Sequence, residues 1–352
     1  MVDRQSVTGG ALLDRYHRQN RRRAVLVAVL LAMAALGVVV DLMTGPAGLP
    51  LADTLRALAG ADVSRATEVI VWQVRLPVAV LALLVGAALA LSGAEMQTVL
   101  ENPLAEPFTL GVSAAAALGA AAAIVLGLSL PFLPPQWSIS ANAFLFALGA
   151  LMLLQLLGRI RGGGPEVLIL FGIALNFSAG AFLSILQFVA SADALQQLVF
   201  WTMGSLSAAS WQGVTALGLV LAACLPFSLR AAWQLTALRL GEDQARSFGV
   251  NVDALRRWTL LRVSLLAATA VSLVGVIGFV GLAGPHIARM LVGEDHRFFL
   301  PASLLTGAVV MSLASTLSKM VVPGVLLPVG LLTSLIGLPV FFWLILRGRA
   351  RR

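Results

Sequence analysis

Long apolar stretches, separated by short polar segments, follow one another along nearly the whole chain. Nine of them are close to the length of roughly 20 residues that a helix needs to cross a bilayer. They cover residues 24–43, 76–100, 109–128, 141–157, 167–189, 211–229, 259–279, 299–322 and 325–346. This pattern predicts an all-α integral membrane protein in which each stretch forms one membrane-spanning helix.

A tenth apolar segment, residues 281–292, is too short to cross a bilayer by itself. Length alone leaves 259–293 open between one long helix and two short or tilted ones. Charge decides the number of crossings, because basic residues that flank spans are retained on the cytoplasmic side. Six arginines precede the first stretch and four follow the last. Both termini are therefore predicted in the cytoplasm, which requires an even number of spans, and we predict ten.

The predicted topology divides the chain into a membrane domain between two basic tails. These parts are a cytoplasmic tail at 1–23, a ten-helix domain at 24–346 with a cytoplasmic segment at 230–258, and a tail at 347–352. The basic residues on the outer side are Arg56, Arg65, Arg75 and Lys319. The apolar stretch after Arg23 is longer than the 7–15 residues of a signal-peptide core, so we interpret it as an uncleaved first span.

Composition excludes several other classes of protein. Hydrophobic residues make up 59% of the chain and charged residues 11%, and the mean hydropathy is +0.94. A soluble globule of this size would need far more polar surface. A single cysteine, Cys224, excludes an intrachain disulfide. The net charge of +8 follows from the topology, so we predict a lipid environment and no nucleic-acid partner.

Candidate chemistry within the chain is sparse. The only lysine, Lys319, does not belong to a Gly-Lys-Ser/Thr phosphate loop, so ATP would have to bind to another chain. His17, His286 and His296 each lack a second ligand at metal-binding spacing, and His296 is expected to face water. We predict no metal, no bound cofactor and no catalytic residue here.

Ionisable residues are rare within the predicted spans. Asp41, Glu95 and Arg262 are expected near span ends, in contact with water. Carriers driven by protons or sodium usually show more intramembrane charge. A secondary carrier or channel nevertheless stays open as the alternative. An intramembrane hydrolase with Ser205 as nucleophile is disfavoured, because no histidine is predicted near it.

Glycine recurs every three residues at Gly275, Gly278, Gly281 and Gly284, and Pro285 follows. Small residues allow helix backbones to approach closely within a bilayer. Glycine and proline together also mark places where one helix ends and another begins. We favour close packing here over a hinge.

The longest polar segment inside the cell contains a predicted short helix that follows Leu240. Glu242 comes directly after Gly241, at a helix start where an acidic side chain interacts well with the helix dipole. Ala245 lies three residues further on, and Gly249 can end the helix. Such a helix either lies on the membrane or serves as a docking site for a soluble partner.

Seven ordered motifs carry a family resemblance. They are Arg-Leu-Pro at 75–77, Asn-Pro-Leu-Ala-Glu-Pro at 102–107, Leu-Gly-Val-Ser at 110–113, Trp-Thr-Met-Gly-Ser-Leu at 201–206, Gly-Phe-Val-Gly-Leu at 278–282, Gly-Glu-Asp-His-Arg at 293–297 and Pro-Val-Gly at 328–330. Together they resemble the permease subunit of the iron–siderophore, haem and cobalamin importers, the FecCD-type family of type II ABC importers.

The resemblance implies a ten-helix subunit that pairs with a second copy or a paralogue. It also implies two ATP-binding subunits that hold ATP and magnesium, and an extracytoplasmic solute-binding protein. The ATPase-coupling segment would lie at 238–250 and include Leu240, Gly241, Glu242, Ala245 and Gly249. The inner gate would be Gly163, Gly164, Pro165 and Glu166.

Outward basic residues in this family pair with acidic residues of the binding protein, which implies docking roles for Arg75 and Lys319. The chain departs from the family pattern at Val78, Ser315, Lys319 and Leu326. We therefore expect an altered docking surface.

The fifth span carries polar residues on one side. Asn176, Gly180, Ser184 and Gln187 recur at spacings of four, four and three, so they share one helical face. This face either lines the translocation pathway or forms hydrogen bonds between helices.

We thus predict a multi-pass permease of the bacterial cytoplasmic (inner) membrane that imports a bulky metal chelate. Ferric siderophore is the first candidate, with haem or cobalamin next.

Overall fold

The computed structural model describes residues 9–45, 48–131, 133–160, 164–322 and 324–348. Within these residues the regular structure is helical and contains no β-strand. The α-helices are α1 (Gly9–Met43), α2 (Leu51–Leu58), α3 (Arg65–Val69), α4 (Leu76–Val99), α5 (Val112–Leu126), α6 (Ser138–Ile160), α7 (Pro165–Val189), α8 (Ala192–Thr202), α9 (Trp211–Arg230), α10 (Ala232–Leu238), α11 (Glu242–Ser247), α12 (Val252–Val274), α13 (Val280–Val292), α14 (His296–Met320) and α15 (Val329–Gly348). A π-helical turn, Ile70–Arg75, joins α3 to α4.

Seven of the helices in the described residues are long and apolar enough to cross a membrane. They are α1, the continuous segment that ends in α4, α6, α7, α9, α12 and α14. Three shorter apolar helices, α5, α13 and the first part of α15, fall at the remaining predicted positions. The helical membrane fold is therefore confirmed, while the number of crossings and the side of each terminus stay predictions.

The ambiguous region at 259–293 forms two helices. α12 ends at Val274 and is followed by Gly275, which has a φ of +75°. α13 begins after Phe279, which has a φ of +67°. A side chain at Gly275 would run into the carbonyl oxygen of Trp201, so only glycine fits this turn. The break separates α12 from α13 without needing the proline at 285.

Helix α4 lies at the centre of the bundle, and every residue from 85 to 100 is buried. It packs against α14, α12, α13 and α9. A helix that is apolar on all sides is expected inside a bundle rather than at its surface. Several of its residues are glycine, alanine or serine, and these let neighbouring backbones come close.

Glycines bring α4 into backbone contact with two neighbouring helices. A Cβ atom at Gly93 would overlap the carbonyl oxygen of Gly281 on α13, and one at Gly86 would overlap that of Gly307 on α14. A Cβ atom at Gly284 would lie 2.7 Å from the Cβ of Ala90. The predicted packing role is confirmed for Gly281 and Gly284, while Gly275 marks the helix break.

The charged groups separate into two ends of the bundle. α1 and α14 run parallel, since Arg23 in the first half of α1 contacts Asp295, just before α14, at 3.5 Å at one end of the bundle. Asp41 and Lys319, near the C-termini of the same two helices, are in contact at 2.8 Å at the other end. Arg239 pairs with Glu294 at the first end, which places α10 there as well. The predicted cytoplasmic segments around Arg23, Arg239 and Glu294 therefore lie together.

A matched pair of substitutions tests the backbone contact at α4. We expect Gly93→Ala to destabilise the protein by about 1–3 kcal/mol, because the added methyl group overpacks the contact with Gly281. Gly149→Ala is the control, since no atom lies within 4 Å of its added Cβ and alanine favours a helix. Thermal unfolding of the purified protein measures both, and equal midpoints would contradict the contact.

Candidate functional site

A short helical hairpin, α10 and α11, forms the candidate coupling segment. α11 starts at Glu242 after Gly241, whose φ is +112°. It ends at Ser247, and Gly249, whose φ is +83°, lies two residues beyond that end. The backbone N–H of Val250 donates to the carbonyl of Ala245 at 3.0 Å, which closes the C-terminus. The predicted short helix and its glycine boundaries are thus present.

Glu242 fastens this segment to the membrane bundle. Its carboxylate accepts hydrogen bonds from Arg246 at 2.8 Å and from Arg256 at 3.4 Å. The Nε of Arg256 in turn donates to the carbonyl of Val99, the last residue of α4, at 3.1 Å. The hydrogen bond from Arg246 lowers the pKa of Glu242 below its usual range, so this carboxyl is ionised at neutral pH.

His296 provides a second connection between the segment and α4. Its Nε2 lies 2.9 Å from the hydroxyl of Thr98 on α4, and its Nδ1 lies 3.2 Å from the hydroxyl of Thr236 on α10. The backbone N–H of His296 also donates to Thr236 at 3.0 Å. The side chain is buried, so the expectation that His296 faces water is wrong.

The exposed surface of the hairpin carries three large apolar side chains among polar and charged ones. Trp233 and Leu240 are each 59% exposed, and Phe248 is 56% exposed. Ala245 faces inward and is fully buried. Large apolar side chains at the surface of this segment suit both of its interpretations, contact with the membrane surface or with a protein partner.

The polar residues of α7 lie on a helix that has few neighbours within the protomer. Ser184 is exposed, while Asn176, Gly180 and Gln187 are half-buried. The hydroxyl of Ser184 donates to the carbonyl of Gly180 in its own helix at 3.0 Å. Within the described part of the chain, no side-chain hydrogen bond joins this face to another helix, while the backbone of Asn176 packs against Gly111. The pathway assignment itself stays a prediction.

The candidate inner gate precedes α7. Gly164 is extended, with a ψ of 158°, and Pro165 takes the first helical position. Glu166 is exposed in the first turn. Gly163 lies outside the described residues. The turn thus presents backbone and one carboxylate, and its gating role is a prediction.

Arg75 and Lys319 do not present free charges at the outer surface. The Nζ of Lys319 lies 2.8 Å from the carboxylate of Asp41, which is fully buried. Arg75 is 4% exposed and donates from Nη1 to the carbonyl of Leu42 at 2.8 Å. The prediction that both side chains face outward is wrong, because the ends of α1 and α14 enclose them. A docking role for them stays untested.

Comparison with known proteins agrees with this architecture. A model of the FecCD transport family matches residues 29–347. The chain belongs to the FecCD transport family. It is therefore a permease of the ABC transporter class and a multi-pass protein of the inner membrane.

Several relatives cover most of the chain. The hemin transport system permease protein HmuU of Yersinia pestis is 42% identical over 284 residues, which are 80% of this chain and 85% of HmuU. The vitamin B12 import system permease protein BtuC of Citrobacter koseri is 35% identical over 335 residues, with 94% and 97% covered. An ABC transporter permease protein of Methanocaldococcus jannaschii is 35% identical over 343 residues, with 95% and 97% covered.

Solved structures resemble the fold of this FecCD permease. A metal-chelate type ABC transporter in an inward-facing conformation matches with a TM-score of 0.81 and 31% identity, over 92% of this chain and 99% of that one. PsaBC of Streptococcus pneumoniae matches with a TM-score of 0.54 at 18% identity, over 83% and 94% of the two chains. The second likeness shows the fold alone.

Sequence reasoning missed a buried ion pair in the FecCD permease. Arg262 on α12 contacts Glu95 on α4 at 2.7 Å and also donates to the hydroxyl of Thr259 at 3.0 Å. Glu95 is fully buried. The expectation that Glu95 and Arg262 meet water at span ends is wrong, because surrounding helices cover the end of α4. It is also wrong for Asp41, which is fully buried beside Lys319. The sequence did contain a signal for this pair, since each of the two predicted spans, 76–100 and 259–279, carries one charged residue and the two charges are opposite.

The motif at 102–107 also has a structural role. Glu106 is buried and its carboxylate accepts hydrogen bonds from the backbone N–H groups of Phe279 and Leu282. These donors lie at the N-terminus of α13, where helices have unpaired N–H groups. Glu106 thus stabilises the start of the short helix that packs on α4.

Substitutions at Glu95 and Arg262 should have non-additive effects on the free energy of unfolding, because the two side chains form an ion pair. Arg262→Met leaves a buried carboxylate without its partner and should destabilise the protein by about 3–5 kcal/mol. The double variant Glu95→Gln/Arg262→Met should be more stable than Arg262→Met alone, because it removes the unpaired charge. Unfolding by denaturant or heat is measured for wild type, Glu95→Gln, Arg262→Met and the double variant, which completes the cycle. Strictly additive effects on the free energy of unfolding would contradict the pairing.

Proposed function

We propose that this permease is the membrane subunit of a binding-protein-dependent ABC importer. Two permease subunits, the second being a copy or a paralogue, would associate with two ATP-binding subunits in the cytoplasm and a solute-binding protein outside. The observation that carries the proposal is the α10–α11 hairpin, a surface with exposed Trp233, Leu240 and Phe248 that Arg256 and His296 hold to the central helix. Such a surface suits a partner that pushes on the bundle.

The contacts suggest how movement would reach the core. Displacement of α11 would act through Glu242 and Arg256 on the carbonyl of Val99. Displacement of α10 would act through Thr236 and His296 on Thr98. Both routes end in the last turn of α4. Since α4 is in backbone contact with α13 and α14, a shift of its end would move these helices together.

The exposed face of α7 suits a neutral pathway. Its polar groups are amide and hydroxyl side chains, with Glu166 at the entrance as the charged residue. A second permease subunit that presented the same face would enclose a pathway along the axis between them. A bulky chelate would then cross without a buried charge to hold it.

We propose that ATP and magnesium bind to the partner subunits. Lys319, the only lysine, is paired with Asp41 in a buried site, and this supports an ATP site outside the chain. The permease would contribute the coupling surface and the pathway, with no catalytic residue of its own.

The proposed substrate is a bulky metal chelate. The 42% identity with a hemin permease favours haem, the relationship to BtuC favours cobalamin, and the motifs alone place ferric siderophore first. Uptake by proteoliposomes that contain the permease, its ATPase and a binding protein would compare the three ligands. We expect uptake of one chelate that requires ATP inside the vesicles. Uptake that continues without ATP would contradict the proposal and indicate a secondary carrier.

A substitution at Glu242 tests the coupling segment. Glu242→Gln weakens the hydrogen bonds with Arg246 and Arg256. Because the hairpin is then held to the bundle less tightly by about 1 kcal/mol, transport per ATP hydrolysed should fall roughly fivefold. Asp243→Asn is the matched control, because Asp243 is exposed in the same helical turn. Membrane insertion should be normal in both variants. Equal transport by both would remove the coupling role.

Cysteine labelling tests the α7 face. In a Cys224→Ser background, Ser184→Cys should react with a small water-soluble thiol reagent in at least one nucleotide state of the assembled importer. Ser191→Cys is the positive control, since Ser191 is exposed just beyond the end of α7. If the control reacts while position 184 is protected in every nucleotide state, the face does not line the pathway.

A further inference from the structure

A cavity of about 210 Å³ lies at the end of the bundle opposite the α10–α11 hairpin. It is lined by residues directly after α1, by the π-helical turn and the first turn of α4, by the 205–207 segment, by α14 and by the segment that leads into α15. Apolar side chains such as Val78 and Leu327 form part of its wall. The charged residues among its lining are two cations, Arg75 and Lys319.

The charges around this cavity do not balance. Asp41 is the carboxylate beside it, and Lys319 already contacts that carboxylate at 2.8 Å. Thr316 also donates to Asp41 at 3.3 Å. The guanidinium of Arg75 donates from Nη1 to a neutral carbonyl, that of Leu42. The cluster of Arg75, Lys319 and Asp41 therefore carries one excess positive charge, and all three residues are largely buried.

Two donors at the cavity wall lack an acceptor. The Nη2 of Arg75 and the hydroxyl of Ser315 are buried, and neither has a hydrogen-bond partner within the described chain. The neighbouring hydroxyl of Ser318 is already used, since it donates to the carbonyl of Ser315 at 2.7 Å. A buried charged donor without a partner is costly in an apolar environment. An acceptor that also carried a negative charge would offset both the unmet donors and the excess charge.

We propose that this cavity binds one small monovalent anion, with chloride as the ligand in solution. Arg75 Nη2 and Ser315 Oγ would donate to it, and Lys319, one turn after Ser315 on α14, would contribute charge. One negative charge neutralises the cluster, whereas sulfate or phosphate would leave it negative. The partly apolar wall also favours a weakly hydrated halide over a strongly hydrated oxyanion. A water molecule would satisfy the donors but leave the charge uncompensated.

Chloride dependence of stability distinguishes the anion from water. The full-length permease, purified without partners and reconstituted in nanodiscs, is unfolded by heat in sodium chloride and in sodium gluconate at equal ionic strength. We expect the midpoint to rise saturably with chloride, because a ligand that binds only the folded state stabilises it. A carboxylate on a docked protein could supply the same negative charge. Because the permease is purified without partners, only a dissolved anion can raise the midpoint in this experiment.

Variants locate the response. Ser315→Ala should weaken the apparent chloride affinity about tenfold, through loss of one hydrogen bond to a charged ligand. Ser315→Asp should abolish the response, because its carboxylate replaces the anion, and the variant in gluconate should be at least as stable as wild type. Arg75→Gln should also abolish it. Arg65→Gln, which changes an exposed cation just before the same turn, should retain the full response.

Two results would overturn the proposal. One is an equal midpoint in chloride and gluconate for the wild-type protein, which would mean that water alone fills the cavity. The other is an unchanged chloride response in Ser315→Asp, which would place the anion elsewhere. Ser315→Asp adds a compensating charge, so its unfolding midpoint in gluconate should be preserved. When that midpoint is preserved, loss of its chloride response cannot be attributed to unfolding.

Discussion

The burial of α4 on every side is the constraint on which the rest of the bundle depends. A helix in this position can pack closely only where its side chains are small, and its glycines meet the backbones of α13 and α14. Lipid provides no hydrophobic drive for helices to associate, so such van der Waals contact is the main source of cohesion. α4 therefore forms the centre to which both charged ends of the molecule are attached.

Different side chains contact α4 at the two ends of the bundle. At the end that we predict to be cytoplasmic, Arg256 and His296 connect the exposed hairpin to the last turn of α4. At the other end, the side chain of Arg75, just before the first turn of α4, lies beside Asp41 and Lys319. The movement and the anion binding that we propose for the two ends would thus act on the same helix. The exposed α7 lies outside this centre, which suits a helix that meets a second subunit.

Local features of the sequence predicted much of the fold. The apolar runs placed the long helices, and Gly241 and Gly249 located α11, because helix ends depend on neighbouring residues along the chain. The burial of α4 was not predictable in this way, since an apolar helix has the same sequence character whether lipid or protein surrounds it. The paired charges were also missed. Glu95 and Arg262 are 167 residues apart, and Asp41 and Lys319 are 278 apart, so position near a span end indicated solvent where the fold supplies a partner.

The central claim is that the α10–α11 hairpin and α4 move as one body relative to α7. Spin labels at Asp243→Cys and Leu104→Cys, in the Cys224→Ser background, report the distance from the hairpin to the loop after α4. Labels at Asp243→Cys and Ser191→Cys report the distance from the hairpin to the far end of α7. In the assembled importer, our account predicts that nucleotide binding leaves the first distance unchanged and shifts the second. A first distance that changes as much as the second would contradict it.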